Sequence, residues 1–320
     1  MEITGVCVLG GSGFVGRHVC HQLAARGYRV RVPTRDRERA KQLILLPTVD
    51  VVVANVHDPR ALNDAVAGSD AVINLVGVLH DARGERGFAG AHVDLARKVV
   101  AACRDAGIRR LLHMSALNAD PAAPSAYLRS KGEAEAIVRS SGLDVTILRP
   151  SVIFGPDDSF LNPFARALQF LPIMVLPCPR ARFQPVYVED VAAAFMRSLD
   201  DLGCAGKAYD LCGPRVYTLR ELLEYVGAAT GRRRPIIGLN ATLSYAQACA
   251  MELFPLRQIM RALDMLMTRD NYRSMQVDSV CNCAFPFGMG PAALELLAPA
   301  WLAADTPRAR YRRFRNRAGR

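Results

Sequence analysis

The feature that most constrains this chain is the run Gly10-Gly11-Ser12-Gly13-Phe14-Val15-Gly16, which directly follows the apolar stretch Ile3 to Leu9. A strand that ends in glycines and passes straight into a helix leaves the first N–H groups of that helix unpaired, and such groups favour an anion. Gly10 predicts the tight turn, Gly13 the close approach of backbone to a pyrophosphate, and Gly16 close packing of the helix on the strand. Phe14 and Val15 open that helix and belong to the same cradle. Among 24 glycines in 320 residues, this spacing arises by chance about 0.1 times per chain, so the flanking strand and helix patterns carry the specificity. An ordinary strand-to-helix turn is the competing reading.

Apolar runs at 5–9, 29–32, 49–54, 71–76, 111–114 and 145–148 alternate with helical periodicity. That alternation predicts an α/β fold, a Rossmann-type doubly wound parallel sheet whose ligands bind at the carboxyl ends of the strands. After Pro150 the rhythm breaks into a proline-punctuated segment. The expected division is a dinucleotide-binding domain over 1–155, completed by elements near 183–200, a smaller capping or substrate lobe over 156–304, and a basic tail over 305–320. Gly206 to Gly213 reads as a strand and Leu219–Thr230, capped by Thr218, as an amphipathic helix, both falling within the lobe's stretch of sequence.

The net charge of +11 is concentrated in that tail, where Arg308, Arg310, Arg312, Arg313, Arg315, Arg317 and Arg320 have no acid among them. With Trp301, Tyr311 and Phe314 nearby, the tail suggests an anionic membrane surface or an acidic assembly partner rather than nucleic acid, with a solvated end as the plain alternative. No run of about 18 uncharged apolar residues occurs and no signal core opens the chain, so a cytoplasmic protein is expected, peripheral at most on the inner face of a membrane. Nine scattered cysteines read as reduced thiols, Cys281-Asn-Cys283 has the wrong spacing for a metal clip, and all six histidines precede residue 114. No metal site is expected.

At the end of the second strand stands Thr34-Arg35, where a site for NAD(H) usually offers a carboxylate to the ribose hydroxyls. A guanidinium there grips a 2′-phosphate, so NADP(H) is favoured over NAD(H), with Asp36 as the competing residue. Asn55 and Val56 end the third strand, a place for adenine contacts. Val76 and Gly77 end the fourth, beneath the expected nicotinamide ribose.

Tyr127 and Lys131 stand four apart on a helix begun near Ser125 and reach one face. An ammonium beside a phenol is expected to lower its pKa from about 10 toward neutrality, making Tyr127 a usable acid or base. Lys131 also reaches toward the ribose, and Ser115, after the fifth strand, is placed to hold a substrate oxygen.

These elements, in this order, resemble the extended short-chain dehydrogenase/reductase superfamily. The stretches Tyr127-Leu-Arg-Ser-Lys131, Pro150-Ser-Val-Ile-Phe-Gly155-Pro-Asp-Asp-Ser-Phe-Leu-Asn162-Pro-Phe164 and Gln184-Pro-Val-Tyr-Val-Glu-Asp190 resemble the branch of the complex I alpha-subcomplex subunit 9 and its bacterial relatives. The likeness runs from residue 3 to about residue 200 and weakly through Thr268-Arg-Asp270. It implies NADPH binding, Tyr127 and Lys131 in the catalytic positions, and Pro150 and Val152 lining the nicotinamide end. It also implies links to quinone or respiratory assemblies, in which the cofactor is structural. One departure matters: the usual Ser-Ser or Ser-Thr pair after the fifth strand is here Ser115-Ala116, so the catalytic hydroxyl falls on an alanine. Two functions are therefore expected: an oxidoreductase or epimerase-like enzyme acting on an unknown small molecule, or a non-catalytic subunit that holds NADPH. The methionine-rich stretch 243–267 reads as core packing rather than a quinone or lipid groove.

Overall fold

The computed structural model describes residues 3–82, 84–253 and 267–303. The basic tail and most of the methionine-rich stretch lie outside the described residues. The chain divides into two compact units, the first comprising 1–150, 188–211 and 281–289, the second 151–187, 212–280 and 290 onward.

The first unit is built on a parallel sheet of β1 (Gly5–Leu9), β2 (Arg29–Thr34), β3 (Val49–Val53), β4 (Ala71–Asn74), β5 (Arg110–Met114) and β6 (Asp144–Pro150), with Ala208–Leu211 as a seventh strand. From one edge the order is Ala208–Leu211, β6, β5, β4, β1, β2, β3. All five residues of β1 and all four of β4 are buried, as befits continuous apolar strands covered on both faces. Between them lies the switch point: β2 and β3 fall to one side of β1, β4 to β6 to the other, and a crevice opens at their carboxyl ends.

The helices are α1 (Phe14–Ala25), α2 (Pro59–Val66), α3 (Leu95–Asp105) and α4 (Ala126–Arg139), with Val188–Asp200 packed on α1. Two of them begin at a side-chain cap. Asp58 caps α2 by accepting from Arg60 N at 3.0 Å, ahead of Pro59 at the first helical position, and Ser125 caps α4 by accepting from Leu128 N at 3.2 Å. Leu62, Leu95, Val99 and Val138 bury against Leu9, Val72, Leu111 and Ile147, and burial of each such side chain contributes about 1.5–3 kcal/mol. Ala89–Asp94, immediately before α3, winds as a π-helix.

The seventh strand corrects the assignment of 206–213 to the lobe. Ala208 to Leu211 pairs in register with Ile147 to Pro150, which gives the outer backbone groups of β6 their hydrogen-bond partners. A second correction concerns the cysteines: Cys281 is disulfide-bonded rather than reduced, while seven of the other cysteines are free thiols. The donor atoms of Asp210, Cys281 and Cys283 lie within 4.8 Å of one another, but a disulfide sulfur is no thiolate ligand and the group carries no metal site.

In the second unit, helices Leu161–Phe170 and Leu219–Ala229 pack on a core that includes Phe154, Leu168, Leu222 and Val226, with Trp301 against it. A capping box between Thr218 and Glu221 starts the second helix. Two small parallel ladders join Ile153–Phe154 to Val186–Tyr187 and Met174–Leu176 to Ile236–Gly238. Among the described residues, no helix is long and apolar enough to cross a membrane.

Candidate functional site

The glycine turn is fixed by steric necessity. Gly10 has φ +78°, and a Cβ on it would sit 3.0 Å from Val76 N, so only glycine fits between the ends of β1 and β4. A Cβ on Gly16 would lie 2.6 Å from Gly11 Cα; the helix approaches the turn closely because that position has no side chain. Gly13 is the N-cap of α1, no side chain caps this end, and no acid occupies the first turn. The start of α1, with Phe14 and Val15, therefore offers backbone N–H groups and the positive end of a helix dipole. A cradle that a single Cβ would fill fits a dinucleotide pyrophosphate.

At the tip of β2, Thr34 is buried, with its Oγ1 3.3 Å from Ser12 Oγ and donating to Asp36 O at 3.0 Å. The two neighbouring charged residues are employed differently. Asp36 turns away to cap the next helical turn, accepting from Glu38 N at 3.0 Å, and pairs with Arg39 at 3.6 Å. Arg35 is exposed and makes no hydrogen bond or ion pair among the described residues. β3 ends at Val53, two residues before Asn55; Asn55 accepts from His57 N at 3.2 Å and donates to Glu85 at 3.4 Å, while Val56 packs against the core. His57 lines a cavity of about 540 Å³ together with Glu85, Phe88, Lys98 and Ser130. Burial holds the His57 imidazole below its ordinary pKa.

The end of β4 is held by a buried relay. Asn74 accepts from Val76 N at 3.2 Å and donates through Nδ2 to His113 Nδ1 at 3.3 Å. Gly77 then passes so close to α4 that a Cβ there would meet Lys131 Nζ at 3.1 Å. Lys131 is buried and donates to Met114 O at 3.1 Å; burial lowers its pKa to about 8. The sheet thus brings Gly10, Val76, Gly77 and Lys131 together, as the sequence spacing predicts.

The residues around Tyr127 correct two expectations. Its phenol is pushed up to about 12 by burial instead of down toward neutrality; desolvation of the phenolate outweighs any help from the nearby ammonium, which itself pays a burial penalty. Tyr127 sits edge-on to Phe88 and His92, with ring centroids 5.8 Å apart in both pairs, and packs against Ala116, Ala123 and Leu128. Ala116, where the resemblance puts a hydroxyl, thus supplies a methyl to this cluster. The Ser115 Oγ is sealed from solvent without a well-formed hydrogen bond, and the polar group it faces is the Glu135 carboxylate, whose acidity it increases. Burial alone would raise the Glu135 pKa, but Arg149, donating through Nε at 2.9 Å, and Arg139, at 2.7 Å, hold it below the usual range. Pro150 ends β6 in the first unit, and its carbonyl accepts from Leu117 N at 3.0 Å. Val152 belongs to the second unit and packs on that unit's core.

His92 is the functional-site residue that sequence reasoning missed. On the π-helix, its Nε2 accepts from Val78 N at 3.1 Å, which places the ring proton on Nδ1, 2.8 Å from Ser130 Oγ. Ser130 in turn donates to Tyr127 O at 2.8 Å. Burial, then the Lys131 charge, lowers the imidazole pKa to about 2, so the ring stays neutral. The available signal was a histidine inside the apolar run Ala89-Gly90-Ala91-His92-Val93, which only a satisfied hydrogen-bond chain can accommodate.

Residues 10–159 match a family described as NAD(P)H-binding, and residues 116–219 match the 3-beta hydroxysteroid dehydrogenase/isomerase family. NADH dehydrogenase (ubiquinone) 1 alpha subcomplex subunit 9, mitochondrial, of Arabidopsis thaliana is 38% identical over 226 residues, covering 68% of this chain and 56% of that protein. Ceramide reductase of Caulobacter vibrioides is 33% identical over 196 residues, covering 60% of this chain and 61% of that protein. The chain thus spans less than two thirds of the length of these relatives. A solved NADPH-dependent quinone oxidoreductase of Escherichia coli, complexed with NADPH, shares the fold with a TM-score of 0.71, at 21% identity over 93% of this chain and 99% of that one.

Proposed function

We propose a function from one premise: the chain belongs to the extended, NAD(P)-binding short-chain dehydrogenase/reductase superfamily. On that premise it holds NADP(H) as a resident dinucleotide in a site whose hydride chemistry is muted. The observation that carries this reading is the arrangement at the tip of β2, where Asp36 is committed to its own turn and Arg35 stands unpaired. A free guanidinium favours a 2′-phosphate, and the missing free carboxylate removes the usual partner of a 2′-hydroxyl. In the same reading, Gly10, Gly13, Phe14, Val15 and Gly16 receive the pyrophosphate. Asn55 and Val56 flank the adenine, while Val76, Gly77 and Lys131 hold the ribose of the nicotinamide. When bound, the nicotinamide ring supplies or accepts a hydride.

The muting rests on Ser115 facing Glu135 and on Ala116 packed against Tyr127 at the position where the resemblance puts the hydroxyl that holds a substrate oxygen. A second reading, reduction of a carbonyl or quinone substrate, is favoured by Tyr127 and Lys131 on one helix. A phenol with a pKa near 12 keeps its proton at neutral pH, so Tyr127 acts there as a proton donor. The likeness to a respiratory subunit supports the further proposal of an accessory role in a respiratory or quinone-linked assembly. The chain would then lie at the inner face of a membrane, held by residues 305–320. The test of the main reading is purification without added nucleotide, followed by release and mass identification. Bound NADP(H) is expected; bound NAD(H), or a chain with no affinity for NADPH, contradicts it.

A further inference from the structure

We propose that the outer face of the ladder between Met174–Leu176 and Ile236–Gly238 is a docking surface for an anionic lipid bilayer, an inference independent of the nucleotide reading. Along the first strand the burial alternates: Met174 and Leu176 point into the core, while Ile173 and Val175 are 47% and 46% exposed. Val175 pairs in register with Ile237, itself 52% exposed, so both stand on one face. The chain enters this strand from the helix end at Phe170, which is 77% exposed, through Leu171 at 37%. Five large apolar side chains thus crowd a two-stranded ladder and the helix end leading into it, which is unlike the scattered apolar residues of an ordinary surface.

The charge beside this face selects its occupant. Arg232, Arg233 and Arg234 are exposed, and Arg232 and Arg234 reach the carbonyls of Gln169 and Leu168 at 3.4 and 3.5 Å, which ties the basic run to the helix end that carries Phe170. Arg233 makes no hydrogen bond or ion pair among the described residues. The sequence has no Asp or Glu over 159–188 or over 225–251, while those stretches contain Arg166, Arg180, Arg182 and the three arginines of 232–234. An apolar face edged by the unpaired Arg233 and its basic neighbours, with the nearby Glu224 neutralised by Arg220 at 3.7 Å, suits a bilayer with anionic headgroups, where the apolar side chains enter the interface and the guanidiniums meet the phosphates. A second copy of the chain would set this basic edge near another of the same sign.

The test is sedimentation of the full chain with vesicles of mixed phosphatidylglycerol and phosphatidylcholine, and with pure phosphatidylcholine vesicles. The wild-type chain is expected to bind the mixed vesicles and to lose them at high salt. The double substitution Phe170→Ser with Ile237→Ser should lower partitioning by about 100-fold, and Arg233→Glu by about tenfold. Both variants should keep the wild-type circular dichroism and NADPH affinity, since these side chains are exposed. If the double variant is poorly folded, Arg233→Glu and the salt dependence decide alone. Wild-type vesicle binding by the folded double variant or by Arg233→Glu overturns the proposal, because the anchor would then lie elsewhere, as in the C-terminal arginines. Absence of vesicle binding by the wild-type chain overturns it too, and a dimer dispersed by the same substitutions would identify a second copy as the occupant.

Discussion

The two ends of the crevice in the first unit are preserved to different degrees. At the phosphate end every requirement is met by backbone: Gly10 at φ +78°, Gly16 against Gly11, and an uncapped helix start at Gly13. At the chemistry end Tyr127 and Lys131 are present but buried, with Ala116 packed on the phenol and Ser115 facing Glu135. The difference teaches that binding and turnover are separable in such a fold. A cradle is made by what is absent, namely side chains, whereas proton transfer needs the right group at the right polarity.

The largest expected effect breaks the binding end. Gly13→Val, whose Cβ would start only 3.1 Å from Gly10 O, should weaken NADPH binding by more than about 100-fold in a folded protein, because the branched side chain takes the space of the anion. Calorimetry showing unchanged affinity would remove the cradle from the account.

At the other end, Lys131→Met should stabilise the nucleotide-free protein. The buried ammonium has a folded pKa near 8 against 10.5 unfolded, so at pH 7 it is charged in both states and its burial costs stability. The cost is about 3 kcal/mol, and a lost bond to Met114 O reduces the gain to about 2. Between pH 8 and 10.5 the unfolded chain holds the extra proton, so wild-type stability rises through that window relative to the methionine variant. Denaturant titrations at pH 7 and pH 10.5 should show the gain at the first and little at the second. An equal gain at both would mean that the lysine is hydrated.

Arg35→Ala sharpens the comparison within the binding end, and should cost NADPH about 1.5–3 kcal/mol, or roughly 10- to 150-fold in affinity, while barely altering NADH. Equal losses for the two nucleotides would make Arg35 a structural residue. The smallest effect is at Ser115. Since its hydroxyl has no well-formed hydrogen bond, Ser115→Ala should shift stability by no more than about 0.5 kcal/mol and leave NADPH affinity unchanged. A large drop in any reductase activity in this variant would restore Ser115 to the chemistry.

The sequence made the first end legible because its constraints are local. Glycine spacing, an apolar strand and a helical pattern fall within residues 3–23, and the strand ends at Thr34, Asn55 and Val76 follow from the same alternation. Tyr127 and Lys131 were legible from their four-residue spacing. The polarity of their surroundings was not, because it depends on residues distant in the chain: Phe88 just before the π-helix and His92 within it, Ala116 from the loop after β5, and Arg149 from β6. For the same reason the phenol was expected to be acidic, although burial decides the opposite. The strand at 206–213 was legible but its place was not, because Ala208–Leu211 is short and follows a helix that returns from the other unit's stretch of sequence; only its pairing with β6 puts it in the main sheet.

Single-turnover oxidation of protein-bound NADPH tests the separation of binding from chemistry most directly. The fluorescence of the bound nucleotide is followed after mixing with quinone and ketone acceptors, for the wild-type chain and for Tyr127→Phe. Tight binding in both, with oxidation no faster in the wild type than in the phenylalanine variant, is the predicted result. Rapid oxidation by the wild type that falls by about 100-fold or more in Tyr127→Phe, the scale of a lost general acid, would contradict the account and establish an active reductase.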